Sequence, residues 1–217
     1  MIKIERVSIT NLENAIRGMR NPMKSWAKSD SFMDQYGNYI IGEADMKLAM
    51  TLAKSGSDDR KFMRQIFVSM DINAPLYWWK EYDTYKVGTV ANSTSTMHTI
   101  MKKPFEIEDF SVERMYPEER TWFEKVLMKE LETIRGYYME YDRLAELGVF
   151  GEGITKKVIW DTLIQLLPTS YNQLRTCTLN YENLANMYKA RRNHKLDEWR
   201  DFCGRIEMLP YSELITG

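Results

Sequence analysis

The chain has 217 residues with 30 basic and 31 acidic side chains, a formal net charge of −1, so no global field recruits nucleic acid or an anionic membrane and any anion site must be local. Its length suffices for one domain, or at most two, and lets folding bury roughly 70% of the surface that the unfolded chain exposes. Cys177, Cys203, His98 and His194 stand at no metal-ligand or redox spacing, and no run approaches the ~20 apolar residues of a membrane span, so the expectation is a soluble, cytoplasmic protein without a metal.

In chain order, Ile2 to Ile9 alternates apolar and polar positions as a strand does, and Asn11 is a candidate cap for the next helix. Gly18 to Asp34 reads as irregular. Ala44 to Lys54 has the helical period, and the glycine of Ser55-Gly56-Ser57 is expected to end it. Gln65 to Asn73 is a strand candidate. Pro117 to Leu147 is the longest helical pattern, with Trp122, Val126, Ile134, Tyr138 and Tyr141 spaced as one face. Gly148 to Gly153 breaks it, Thr155 is placed to cap a helix to Leu167, and Pro168 helps stop that helix. Tyr171 to Leu179 reads as a strand, followed by helices over Tyr181–Arg192 and Lys195–Glu207. Strands interleaved with long helices suggest an α+β protein. On the first of these last helices the three- and four-residue spacing predicts that Asn183, Asn186 and Arg191 converge on one face.

Two blocks carry more than fold. Leu167-Pro168, then the strand, then Asn180-x5-Asn186-x4-Arg191 form one. The other is Ala74-Pro75-Leu76-Tyr77-Trp78-Trp79-Lys80-Glu81-Tyr82 running into Thr84-Tyr85-Lys86-Val87-Gly88-Thr89-Val90-Ala91-Asn92-Ser93-Thr94-Ser95-Thr96. Together they resemble the flavin-dependent thymidylate synthases, whose signature is Arg-His-Arg-x2-Ser-x-Asn-x2-Ser-x-Arg, and whose order of elements runs through most of this chain. Lys86 is the charge retained where the signature begins. Lys80-Glu81 stands in place of an Arg-Gln pair, and Leu196-Asp197-Glu198-Trp199 in place of Ala-Gln-x-Glu.

The resemblance implies a mixed sheet flanked by helices, in a homotetramer of the compact phage-like kind with sites between subunits. It implies reductive methylation of dUMP to dTMP with FAD, methylenetetrahydrofolate and NADPH. Carried over residue by residue, Arg191 is the catalytic and uracil-contacting arginine. Lys80, Glu81, Ser93, Thr94 and Ser95 join it in the substrate site, and Tyr85, Lys86, Thr89, Asn92, Asn180 and Asn186 form the flavin site. The residues alone also allow plainer roles. Asn180 suits a helix cap, Asn186 a solvated helix position, Arg191 the negative end of a helix dipole, and the Ser/Thr-rich stretch a loop. A non-catalytic relative that binds a nucleotide or flavin is the alternative reading.

Overall fold

The computed structural model describes residues 1–217. The elements are β1 (Lys3–Thr10), α1 (Leu12–Met19), β2 (Phe32–Met33), β3 (Tyr39–Ile40), α2 (Glu43–Lys54), β4 (Phe67–Pro75), α3 (Leu76–Tyr82), β5 (Val90–Ser93) and α4 (Thr96–Thr99). They continue with α5 (Pro117–Trp122), α6 (Met128–Met139), α7 (Tyr141–Glu146), α8 (Lys156–Leu166), β6 (Asn172–Asn180), α9 (Tyr181–Arg191), α10 (Asp197–Glu207) and α11 (Glu213–Thr216). The expected α+β class is found, with helices flanking an antiparallel sheet whose strand order is β1-β4-β6-β5.

Side-chain pairs give the central register. Ser69 and Thr178 share a hydrogen bond of 2.8 Å and Thr176 donates to Asp71 at 2.6 Å, so numbers fall along β6 as they rise along β4. The mixed sheet implied by the resemblance is therefore antiparallel at this pair. Val68, Met70, Ile72 and Ala74 of β4 are buried while Ser69 and Asp71 between them are not, the period of two that places one face of a strand in the core. The strand starts two residues later than the sequence suggests, because a 3-10 turn holds Arg60–Gln65.

The chain divides into two compact units. The larger holds Ile2–Ile72, Glu81–Asn92 and Arg175–Gly217, the smaller Met1, Asn73–Lys80 and Ser93–Leu174. In the larger unit the stretch expected to be irregular is organised around two aspartates. Buried Asp45 accepts from Arg20 at 2.5 Å and from the hydroxyls of Ser29 and Ser31 at 2.5 and 2.6 Å. Asp30 accepts from the Ala44 and Asp45 amides at 2.8 and 3.0 Å, so a distant loop supplies the acceptor for the first turn of α2. Two cap expectations fail here. Asn11 has φ 69° and its amide donates to the Gln65 carbonyl at 2.9 Å instead of capping α1. Helix α2 ends through extended Ser55, with Gly56 outside the left-handed region.

In the smaller unit the long helical pattern is interrupted. It widens into a π turn over Phe123–Leu127 between α5 and α6, and breaks again at Glu140 before α7. The extra residue in a π turn rotates the rest of the helix about its axis. Phe123, Leu131 and Ile134 consequently enter the core with Phe110, Ile159 and Leu163, whereas Trp122 and Val126, expected on the buried face, are about half exposed. Thr155 caps α8 as expected, accepting from the Val158 amide at 3.3 Å.

Candidate functional site

The start of α9 shows why the two sequence blocks meet. Asn180 accepts from the Asn183 amide at 2.9 Å while the Asn183 side chain accepts from the Asn180 amide at 3.2 Å, a reciprocal capping box that satisfies two otherwise unpaired helix donors. The Asn183 amide group then donates to the Val87 carbonyl at 2.8 Å. The next residue, Gly88, has φ +75°, and a Cβ there would lie 3.1 Å from Asn180 Nδ2 and from Asn183 Oδ1. Only glycine both adopts this turn and lets the backbone approach so closely.

At its C-terminal end, α9 directs Arg191 into a cage. Its Nη1 donates to Glu81 Oε2 at 2.7 Å and its Nε to the Tyr85 hydroxyl at 2.9 Å. The guanidinium carbon lies 4.8 Å from the Trp199 ring centroid and 5.6 Å from that of Tyr85, within cation–π range. The same Glu81 oxygen accepts from Trp199 Nε1 at 3.0 Å and lies 3.4 Å from His194 Nε2. The Arg191 side chain is 19% exposed, so it is no solvated helix-end cation. The cage offers a planar cation and aromatic edges, which suit a flat ring bearing carbonyl oxygens. Its charge is already neutralised by Glu81, which acts against a phosphate dianion.

The expected convergence on α9 is not found. Asn183 faces Val87 and Arg191 faces Glu81, but Asn186 accepts from Arg60 at 3.4 Å on another side of the helix. There Glu182 binds Arg60 at 3.0 Å and Arg64 at 2.5 Å, which holds its carboxyl below the usual carboxylate range. The reason is angular: at 100° per residue, positions 186 and 191 lie about 140° apart.

The remaining predicted residues spread out. Tyr85 and Thr89 belong to the turn that meets α9, and the Thr89 hydroxyl donates to the Tyr85 carbonyl; Lys86 and Asn92 are exposed. In the smaller unit Lys80 and Ser93 are exposed. Thr94 is fastened to the Leu174 carbonyl through its amide at 2.9 Å, and Ser95 precedes α4 and accepts from the Thr99 hydroxyl at 2.7 Å. Burial pushes the Cys177 and Cys203 thiols up to about 11, so neither supplies a thiolate nucleophile at neutral pH. His194 and Trp199 were not among the expected site residues. Trp199 lies in the segment that departs from the family pattern, and only the fold shows that it closes over Arg191.

No protein-family model and no curated protein sequence matches the chain. Solved structures do. Thymidylate Synthase X (ThyX) from Helicobacter pylori, crystallised with FAD and dUMP, is 16% identical with a TM-score of 0.72, covering 100% of this chain and 98% of that one. A second crystal structure, of flavin-dependent thymidylate synthase ThyX from Helicobacter pylori complexed with FAD and dUMP, gives 18% identity and a TM-score of 0.66 over 98% of each chain. The chain thus has the fold of these synthases throughout its length.

Proposed function

We propose that the protein is a flavin-dependent thymidylate synthase-like enzyme that converts dUMP to dTMP with methylenetetrahydrofolate as carbon donor and NADPH as reductant, as a homotetramer. The observation that carries this reading is the Arg191 cage in a chain whose whole length matches synthases solved with FAD and dUMP. Arg191 polarises a pyrimidine carbonyl, Tyr85 and Trp199 wall the ring, and a preorganised cation aimed at developing charge is the largest single aid that such a site gives. Lys86 and the Asn92 amide, in the same unit as the cage, serve the phosphates.

The residues assigned to flavin fit its ring better than its diphosphate. Of these, Tyr85 is a flat partner, while Asn180 is engaged as a cap, Asn186 accepts from Arg60, and Arg60 and Arg64 are tied together through Glu182. When bound, FAD supplies the hydride; this chain's residues bind and orient the pyrimidine and exclude water. The Glu81–Arg191 pair favours a second reading, a non-catalytic relative that keeps the pocket.

The deciding assay measures dTMP formation from dUMP, methylenetetrahydrofolate and NADPH with FAD supplied and the oligomer verified. Formation above background supports the synthase, and its absence leaves the binding relative. A flavin spectrum in the purified protein is the companion readout.

A further inference from the structure

A second site lies elsewhere in the larger unit, on the opposite side of α9 from Glu81. A cavity of about 380 Å³ opens between the last turn of α2, the outer face of α9 and α11, and four of its lining side chains are cations: Lys54, Arg60, Lys189 and Arg192. Glu213 is the acidic side chain among them. Each of Lys54, Lys189 and Arg192, taken singly, suits the negative end of its own helix. The dipoles do not require that two helix ends and Arg60 turn their charges into one concavity. Arg60 is held in place by Glu182 at 3.0 Å and Asn186 at 3.4 Å, so one of the four cations is already positioned. The Arg192 guanidinium lies 5.9 Å from the Tyr188 ring, whose hydroxyl is anchored on Glu207 at 2.6 Å. Met50 and Met63 add apolar lining.

Lys54, Lys189 and Arg192, beside an Arg60 whose charge is paired with Glu182, outnumber Glu213 and call for a ligand with more than one negative charge. An apolar and aromatic lining beside them calls for an organic group on the same molecule. We propose that this cavity binds a nucleoside polyphosphate, with the phosphate chain on Lys54, Lys189, Arg192 and Arg60 and the nucleoside against Met50, Met63 and Tyr188. It shares no residue with the Arg191 cage; Asn186, which the resemblance gives to the flavin site, lies in its lining but is given no part in holding the nucleotide.

The test is calorimetric titration of the full-length protein at low ionic strength with ATP, inorganic tripolyphosphate and adenosine as probes. Both phosphates are expected to bind, ATP at least threefold more tightly than tripolyphosphate, and adenosine not measurably. Binding should weaken as salt rises, since exposed charges are screened beyond about 10 Å at 0.1 M. K189E/R192E reverses two exposed charges and should weaken ATP at least tenfold with an unchanged circular dichroism spectrum, while R191A should leave ATP binding as it was. Overturning results are absence of ATP binding, equal affinity for ATP and tripolyphosphate, or ATP binding that survives K189E/R192E. If R191A alone abolished it, the nucleotide would sit in the Glu81 cage; this proposal would fall and the proposed function would stand.

Discussion

At the scale of single residues, Glu81 decides what Arg191 is able to do. An amide at this position would accept from Arg191 and Trp199 without cancelling the guanidinium charge. Glu81→Gln is therefore expected to tighten dUMP binding several-fold while leaving uridine binding, which involves no phosphate, unchanged; titration with the two ligands checks it, and equal effects on both would count against a repulsive role. Arg191→Ala should lower kcat for dTMP formation by 10²–10³, about 2.7–4 kcal/mol, as for loss of one preorganised donor at developing charge. The same substitution leaves half-buried Glu81 with fewer donors, and denaturant unfolding should show a loss of roughly 1–3 kcal/mol. The Asn180 cap was legible in the sequence, because asparagine is favoured just before a helical run for structural reasons alone. The capture of Arg191 by Glu81 was not, since the two are 110 positions apart and only the fold brings them together.

At the scale of elements, the junction of the Val87-Gly88 turn with the first turn of α9 is the point most sensitive to small changes. Gly88→Ala forces an L side chain to φ +75° and sets a methyl 3.1 Å from two asparagine side chains, so a loss of about 1–3 kcal/mol is expected. Asn180→Ala removes the cap and should cost about 1 kcal/mol. Because both act on one contact, the double variant should lose less than the sum; strict additivity in urea unfolding would show that the turn and the cap are independent. Long periodic helices and the capped start of α8 were readable from sequence. The π turn and the β2–β3 hairpin were not, because two-residue strands carry no period and a π turn leaves the local composition unchanged.

At the scale of the whole molecule, several structural carboxylates respond to acid together. Burial acts to raise the Asp45 carboxyl, but the Ser29 and Ser31 hydroxyls and Arg20 outweigh it and leave it below its ordinary value. Arg135 and the Phe105 amide likewise hold Glu132 low, and Arg64 and Arg60 hold Glu182 low. A carboxylate whose folded pKa is depressed stabilises fully above its unfolded value and loses that contribution as pH falls through the folded one. The melting temperature should therefore be flat near neutrality and fall below about pH 4; a constant value down to about pH 2.5 would rule this out. Removing one partner of the buried pair, as in Arg20→Ala, is expected to cost about 3–5 kcal/mol. Light scattering tests the homotetramer, and a mass near 25.7 kDa at micromolar protein would exclude it together with any site completed by a neighbouring subunit.

The pairing of β4 with β6 also sets a timetable for synthesis. Ser69 meets Thr178 across 109 positions, and the larger unit is assembled from three separate stretches of chain, the last beginning at Arg175. On the ribosome, the first third of the protein must wait with the β6-facing backbone edge of β4 unpaired until residues near 180 have emerged, roughly 5–20 s later at ordinary elongation rates. The smaller unit, most of it the continuous run Ser93–Leu174, emerges during that interval. Truncation anywhere before β6 therefore leaves an exposed strand rather than a shorter folded protein, and such fragments should be found bound to chaperones or aggregated.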